Sequence, residues 1–162
     1  MEAIRHATAA DLPAVYRLIQ ELADYENAPD AVSLTLEQFI QDFKQQQPPF
    51  HVLIAEAENH VAGMALYFFT YSTWRGRCLY LEDMIVTQSW RQRGLGKALF
   101  EQLLTIGAKA EVARMAWQVL DWNRPAIHFY QRYGAWLEAE WLSGKLTGDQ
   151  IKARQSQFST NS

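Results

Sequence analysis

One cysteine, five prolines and no apolar run of membrane length mark what this chain of 162 residues does without. The lone Cys78 excludes an internal disulfide framework and a cysteine-pair zinc site, a usage that suits a reducing cytoplasm. No apolar stretch approaches the ~20 residues that span a bilayer, and the N-terminus has no signal-peptide apolar core. A soluble cytoplasmic protein with no membrane partner is therefore expected. Fifteen Lys and Arg against 18 Asp and Glu leave a formal charge of −3, so no nucleic-acid partner is indicated and any basic cluster is a local exception. His6, His51, His60 and His128 lie far apart without a metal-ligand spacing, so no metal is expected. No repeat, linker or low-complexity segment divides the chain. At 49% hydrophobic it is long enough for one well-buried core and too short to expect two. One domain over residues 1–147 is expected, followed by a polar tail, 148–162, that is either disordered or a help in assembly.

What is present centres on the stretch from Leu81 to Lys97. Cys78 to Val86 is largely apolar and suited to a strand, whereas Leu95, Leu99, Leu103 and Ile106 recur at the three- and four-residue spacing of a helix. The period changes across Arg91-Gln92-Arg93-Gly94-Leu95-Gly96-Lys97. The first amides of a helix have no internal partners and the helix dipole places partial positive charge there, so anions bind readily. Gly94 and Gly96 allow close approach to the backbone, and Arg91, Arg93 and Lys97 add positive charge. The pattern Arg-x-x-Gly-x-Gly is neither the nucleotide-triphosphatase loop nor the dinucleotide fingerprint. A glycine pair near arginines is also a common plain turn, so the loop alone does not decide.

Along the chain, Ile4 to Ala7 reads as a strand. Thr8 to Asp11 has the form of a capping box for a helix with Leu12, Val15, Tyr16, Ile19 and Leu22 on one face, fading near Asn27. A second helix starts at Thr35 with Phe39, Ile40 and Phe43, and breaks between Gln45 and Pro49. His51 to Ala55 and Val61 to Thr70 form an antiparallel hairpin about the polar turn Glu56 to His60. A loop, Tyr71 to Arg77, leads into the central strand. After the helix that follows it, Arg114 to Leu120 reads as a strand. Asn123 and Pro125 open a helix from Ala126 to Tyr133, closed by Gly134. Trp136 to Leu142 reads as a last strand.

Two features together, Arg91-x-x-Gly94-x-Gly96 after a strand and Asn123-x-Pro125-Ala126-Ile127-x-Phe129-Tyr130-x-x-x-Gly134 some thirty residues on, resemble the GNAT superfamily of acetyl-CoA-dependent N-acetyltransferases. Tyr80-Leu81-Glu82-Asp83, Phe69 to Trp74 and Val119 to Asn123 bring the likeness closest to the spermidine/spermine (diamine) and thialysine branch. It covers roughly Ile4 to Trp141. The resemblance implies an α/β fold with a mixed, mostly antiparallel twisted sheet, splayed at the central strand and flanked by helices. It implies acetyl-CoA as co-substrate, with pantetheine along the backbone of Met84, Ile85 and Val86. Pyrophosphate would rest on the amides from Gln92 through Leu95 to Lys97, and Asn123, Pro125 and Ala126 would lie beside the coenzyme. A homodimer is the family's usual assembly.

Acetyl transfer to an amine needs a neutral nitrogen, a polarised thioester carbonyl and a proton for the departing thiolate. By resemblance Glu82 faces the amine and takes its proton, directly or through water. The structural alternative is a surface or salt-bridged carboxylate. Tyr130 is the matching general acid, its phenol protonated at neutral pH, although Ala126, Phe129 and Tyr133 at helical spacing also fit a packed core face. A backbone N–H near Met84 would stabilise the oxyanion. Cys78 reads as a small buried apolar residue and not as a nucleophile. Tyr25, Glu26, Trp74, Asp83 and either Glu138 or Glu140 would line the amine pocket, where carboxylates and aromatic faces suit a cation. Where the polyamine-acetylating members carry an acid after Tyr71, this chain has Ser72, which favours a shorter amine such as thialysine or a lysine-like compound. The sequence leaves two rivals to this small-amine partner: acetylation of a protein N-terminus or lysine, and non-catalytic sensing of acetyl-CoA.

Overall fold

The structure is a computed structural model that describes residues 2–159, with side chains for residues 2–155. The chain divides into two compact units, Met1–Gln118 and Val119–Ser162.

The first unit holds β1 (Glu2–His6), α1 (Leu12–Tyr25), α2 (Leu36–Phe43), β2 (His51–Ala57), β3 (His60–Ser72), β4 (Gly76–Val86), α3 (Leu95–Lys109) and β5 (Arg114–Ala116). The strands lie in sequence order in one open five-stranded sheet. β1 to β4 are antiparallel and β5 joins β4 in parallel. This is the mixed, mostly antiparallel α/β sheet with flanking helices expected of the sequence.

Strand alternation explains the two-sided core. Val52, Ile54, Met64, Leu66 and Ile85 face Leu12, Val15 and Leu18 of α1 and Phe39 of α2. Leu53, Ala55 and Ala65 are equally buried on the other face, which α3 covers with Leu95, Leu99, Phe100 and Leu103. Each large side chain so buried contributes roughly 1.5–3 kcal/mol. No helix of the described residues is long and apolar enough to cross a membrane.

The local signals act as their chemistry requires. Asp11 accepts from the Thr8 amide at 2.7 Å, completing the capping box, and Arg5 grips the same carboxylate at 2.8 and 3.0 Å. The Arg5 hydrogen bond holds Asp11 well below the usual carboxylate range. Thr35 caps α2 through Gln38 N–H at 3.2 Å. Glu58 and Asn59 both take positive φ, 49° and 63°, the conformation that a tight turn matched to the twist of β2 and β3 demands. At Gly63 β3 passes so close to β4 that an added Cβ would stand 2.9 Å from the Ile85 carbonyl oxygen.

The second unit contains α4 (Arg124–Gln131) and α5 (Gly148–Ser159). Asn123 caps α4 by accepting from Ala126 N–H at 3.3 Å, Pro125 sits in its first turn, and Gly134 takes φ +77° just beyond its end.

Two expected strands are corrected, and the tail, open between disorder and a part in assembly, takes a shape. Trp136 to Leu142 forms no strand, for alternation alone does not make one without a backbone ladder partner. β5 stops at Ala116 and not at Leu120, its pairing with β4 ending at Tyr80 just short of an irregularity in that strand. The polar tail is helical over its described part. Thr147 and Gln150 exchange bonds, Gln150 N–H to Thr147 Oγ1 at 3.2 Å and Thr147 N–H to Gln150 Oε1 at 2.8 Å, a capping box that starts α5. Residues 160–162 lie outside the described residues.

Candidate active site

The irregularity is a β-bulge. Leu66 stands opposite Asp83 and Tyr67 opposite Leu81, which leaves Glu82 as the extra residue of β4. A bulge locally disrupts the ladder and re-aims side chains, and bulges gather beside active sites. Glu82 is exposed and Asp83 half-buried. The end of α1 brings a third acid, Glu26, whose N–H closes the helix on Leu22 O at 2.9 Å.

These carboxylates sense one another. Burial, then Glu82, then Glu26 push Asp83 up to about 6. Burial likewise raises Glu26, and burial followed by the charges of Glu82 and Asp83 raises the Tyr80 phenol. A site that makes its own acids reluctant to ionise is one that a cation would relieve.

From the bulge, β4 runs on through Met84, Ile85 and Val86 with β3 on one side. Its other edge has no ladder partner past Tyr80 among the described residues. Past Tyr80 the backbone groups on that edge lack a strand partner, and of them Val86 O accepts from Arg91 Nε at 2.8 Å. Beyond Val86 the chain turns through Gln88–Trp90, places Gln92 at φ +64° and Gly94 at φ +86°, and enters α3 at Leu95. Ala98 N–H donates to Gly94 O at 2.9 Å, so the amides of Leu95, Gly96 and Lys97 precede the first full helical turn. An added Cβ at Gly94 would meet nothing within 4 Å, and one at Gly96 only Val86 Cγ2 at 3.8 Å. The backbone here is open on its outer side, and its donors with the helix dipole fit a diphosphate.

The basic side chains differ in disposition. Arg93 lies over the Trp90 ring at 4.5 Å, and Lys97 is 3.8 Å from Glu101. Arg91 turns inward: its Nε donates to Val86 O at 2.8 Å, and its guanidinium stands 5.1 Å from the centre of the Tyr25 ring. Glu21, which belongs to no motif of the chain, meets this loop by accepting from Gln88 N–H at 3.1 Å. A contact across 67 positions leaves no periodic trace.

Trp74 is not brought to the acids. It stands 84% exposed at the tip of the β3–β4 hairpin, and Glu82 lies six strand positions beyond Gly76, a rise of roughly 20 Å. Ser72 serves that tip, its hydroxyl accepting from the amides of Trp74 at 3.3 Å and Arg75 at 3.2 Å. Cys78 is fully buried with Sγ 3.4 Å from Gly76 O, as a small core residue should be.

In the second unit Tyr130 is buried on α4, its ring 5.2 Å from that of Phe129. Burial pushes its phenol up to about 12, so it is a proton donor across the physiological range. Asn123, Pro125 and Ala126 form the start of the same helix. Glu138 accepts from Trp136 Nε1 at 3.2 Å and Glu140 is exposed. No group of three or more His, Cys, Asp or Glu among the described residues is arranged to hold a metal ion.

Residues 12–135 match the model of the acetyltransferase (GNAT) family. The chain is 35% identical over 140 residues to thialysine N-epsilon-acetyltransferase of Bos taurus, covering 82% of each protein. It is 34% identical over 160 residues to the Sus scrofa protein of the same name, covering 92% of this chain and 94% of that one. It is also 39% identical over 139 residues to spermidine/spermine N(1)-acetyltransferase-like protein 1 of Homo sapiens, covering 82% of this chain but spanning only 20% of that protein's length. Among solved structures, an integron cassette protein from V. cholerae superposes with a TM-score of 0.75 at 23% identity, over 95% of this chain and 97% of that one. An aminoglycoside acetyltransferase from a soil metagenome superposes with a TM-score of 0.73 at 19% identity, over 90% and 95%.

Proposed function

The chain belongs to the acetyltransferase (GNAT) family, and from that premise we propose that it transfers acetyl from acetyl-CoA to the primary amine of a small molecule, thialysine, a lysine-like compound or a diamine. Acetyl transfer to amines is the chemistry that the family and its named relatives share. The observation that carries the finer reading is the bulge: it exposes Glu82 on the strand that leads, through Val86, into the open anion cradle.

The cradle amides from Gln92 to Lys97, with Arg93 and Lys97, would hold the coenzyme's diphosphate, and the stretch Met84, Ile85 and Val86, which β5 leaves unpaired, its pantetheine arm. When bound, acetyl-CoA supplies a thioester carbonyl open to a neutral amine. An alkylamine of reference pKa about 10.4 arrives mostly as ammonium. Glu82, exposed and at the bulge, takes that proton. Tyr130 holds a proton for the departing sulfur, and Asn123, Pro125 and Ala126 set the helix that carries it. Glu26 and Asp83 draw the cation, with Tyr25 and Glu140 as further contacts, while Trp74 stays at the hairpin tip. The amine attacks directly, without an acyl-enzyme. We assign catalysis to residues 1–147 and the protein to the cytoplasm as a homodimer. Trp136, Trp141 and Leu142, exposed by 75%, 71% and 96%, support association.

A panel of free amines and peptides tests the reading. Thialysine, lysine analogues and diamines should be acetylated with release of thiol. Acetylation of peptides alone would refute the small-amine assignment. Coenzyme binding without turnover on any acceptor would favour a sensor. Gly94→Val tests the cradle: a β-branched residue at φ +86° strains the turn by about 1–2 kcal/mol. Calorimetry should show coenzyme A binding weakened about tenfold, and unchanged affinity would remove the assignment.

A further inference from the structure

Glu21 belongs to no catalytic pattern in the sequence, yet it is where α1 and the cofactor loop meet. Its Oε1 accepts from Gln88 N–H at 3.1 Å, on the first residue of the turn that follows β4. The same oxygen lies 3.9 Å from Arg91 Nη2. Arg91 in turn donates from Nε to Val86 O at 2.8 Å and lies over the ring of Tyr25. Glu21 and Tyr25 are one helical turn apart on α1, so a single guanidinium rests against both. Tyr25 and Glu26 form the last turn of that helix, beside Asp83.

We infer that Glu21 is a positioning residue: through Gln88 N–H and Arg91 it clamps the start of the anion-binding loop to the helix end that carries the amine-facing side chains, so that one brace sets both halves of the site. The inference rests on reading the loop as the coenzyme cradle and the acids as the amine pocket. Both partners of the ion pair are about a third exposed, and such pairs contribute little to stability. The brace therefore acts on placement. Glu21 is not among the buried residues of α1, so its truncation leaves no core cavity. Arg91, with Nε on Val86 O and Nη2 toward Glu21, is committed to this brace. Diphosphate recognition then falls to the backbone amides, Arg93 and Lys97.

The test compares wild type with Glu21→Ala, Glu21→Gln, Arg91→Ala and the Glu21→Ala/Arg91→Ala double variant. Coenzyme A affinity is read by calorimetry, and kcat and KM are read with thialysine as acceptor. Glu21→Ala should weaken coenzyme A binding and raise the thialysine KM, each about five- to tenfold, with kcat within threefold of wild type and the melting temperature little changed. Glu21→Gln keeps the acceptor for Gln88 N–H and should recover part of both losses. The double variant should be no worse than the worse single variant, as for two parts of one brace. If Arg91 held diphosphate directly, its removal would weaken binding as much in the Glu21→Ala background as in wild type, and the inference would fail. Unchanged affinity and KM in Glu21→Ala would also overturn it. A wild type that binds no coenzyme A would sink the cradle reading first, and the brace with it.

Discussion

The two ends of β4 are built from one continuous strand and serve opposite purposes. From Cys78 to Tyr80 it is paired on both sides, to β3 and to β5, and Cys78 and Leu79 are fully buried. From Glu82 onward it is bulged, paired on one side, and lined by acids that repel one another. The comparison teaches that a stable ladder makes reactive geometry possible next door. The doubly paired end fixes the strand, and the singly paired end can then leave backbone donors and an extra carboxylate open to ligands.

Three substitutions sharpen this contrast. The largest effect is expected for Glu82→Gln, which removes the proposed proton acceptor while keeping its size: kcat/KM should fall by about 10²–10⁴ with the melting temperature unchanged. A loss of stability in place of activity would make Glu82 a structural residue. At the other end, Leu79→Ala should do the reverse, lowering unfolding free energy by about 2–5 kcal/mol in denaturant titration while activity per folded molecule stays near wild type. The smallest effect is expected at Asp83, and its sign depends on pH. Burial, then the charges of Glu82 and Glu26, raise its folded pKa to about 6 from an ordinary 3.8. The aspartic acid form is favoured by folding, so the associated stability is present below pH 4 and lost as pH rises through 6. Asp83→Asn should therefore raise stability at pH 8 by about 1–2 kcal/mol, allowing for partial solvent access, and leave it unchanged at pH 4. The same variant should raise the amine KM at pH 8, where wild type presents a carboxylate to the cation. A stability gain equal at both pH values would show that the charge is not strained.

The elements that were legible in the sequence are those whose signals are local. Thr35 and Asn123 cap the helices their side-chain oxygens predict, and Gly94 and Gly134 take the positive φ their turns require. The change of period across Arg91 to Lys97 marked the strand–turn–helix junction itself. The bulge was hidden, because an extra residue in one strand is defined only by the partner it fails to meet. Glu21 was hidden for the same reason. Trp136 to Leu142 reads as a strand from its side-chain pattern alone, while the ladder a strand needs is a property of two segments. The final helix has only the Thr147-Gly148-Asp149-Gln150 capping box to mark it, since the polar run after it offers no apolar stripe.

Gly63 makes no contact with any proposed substrate and carries no chemistry, yet a methyl group there would collide with the Ile85 carbonyl and the Val86 side chain, at 2.9 and 3.0 Å. Saturation mutagenesis scored by growth or colour would thus find a silent veto at this position. Alanine, usually the mildest of replacements, would pry β3 away from β4 beside the proposed coenzyme site without altering any side chain proposed to react.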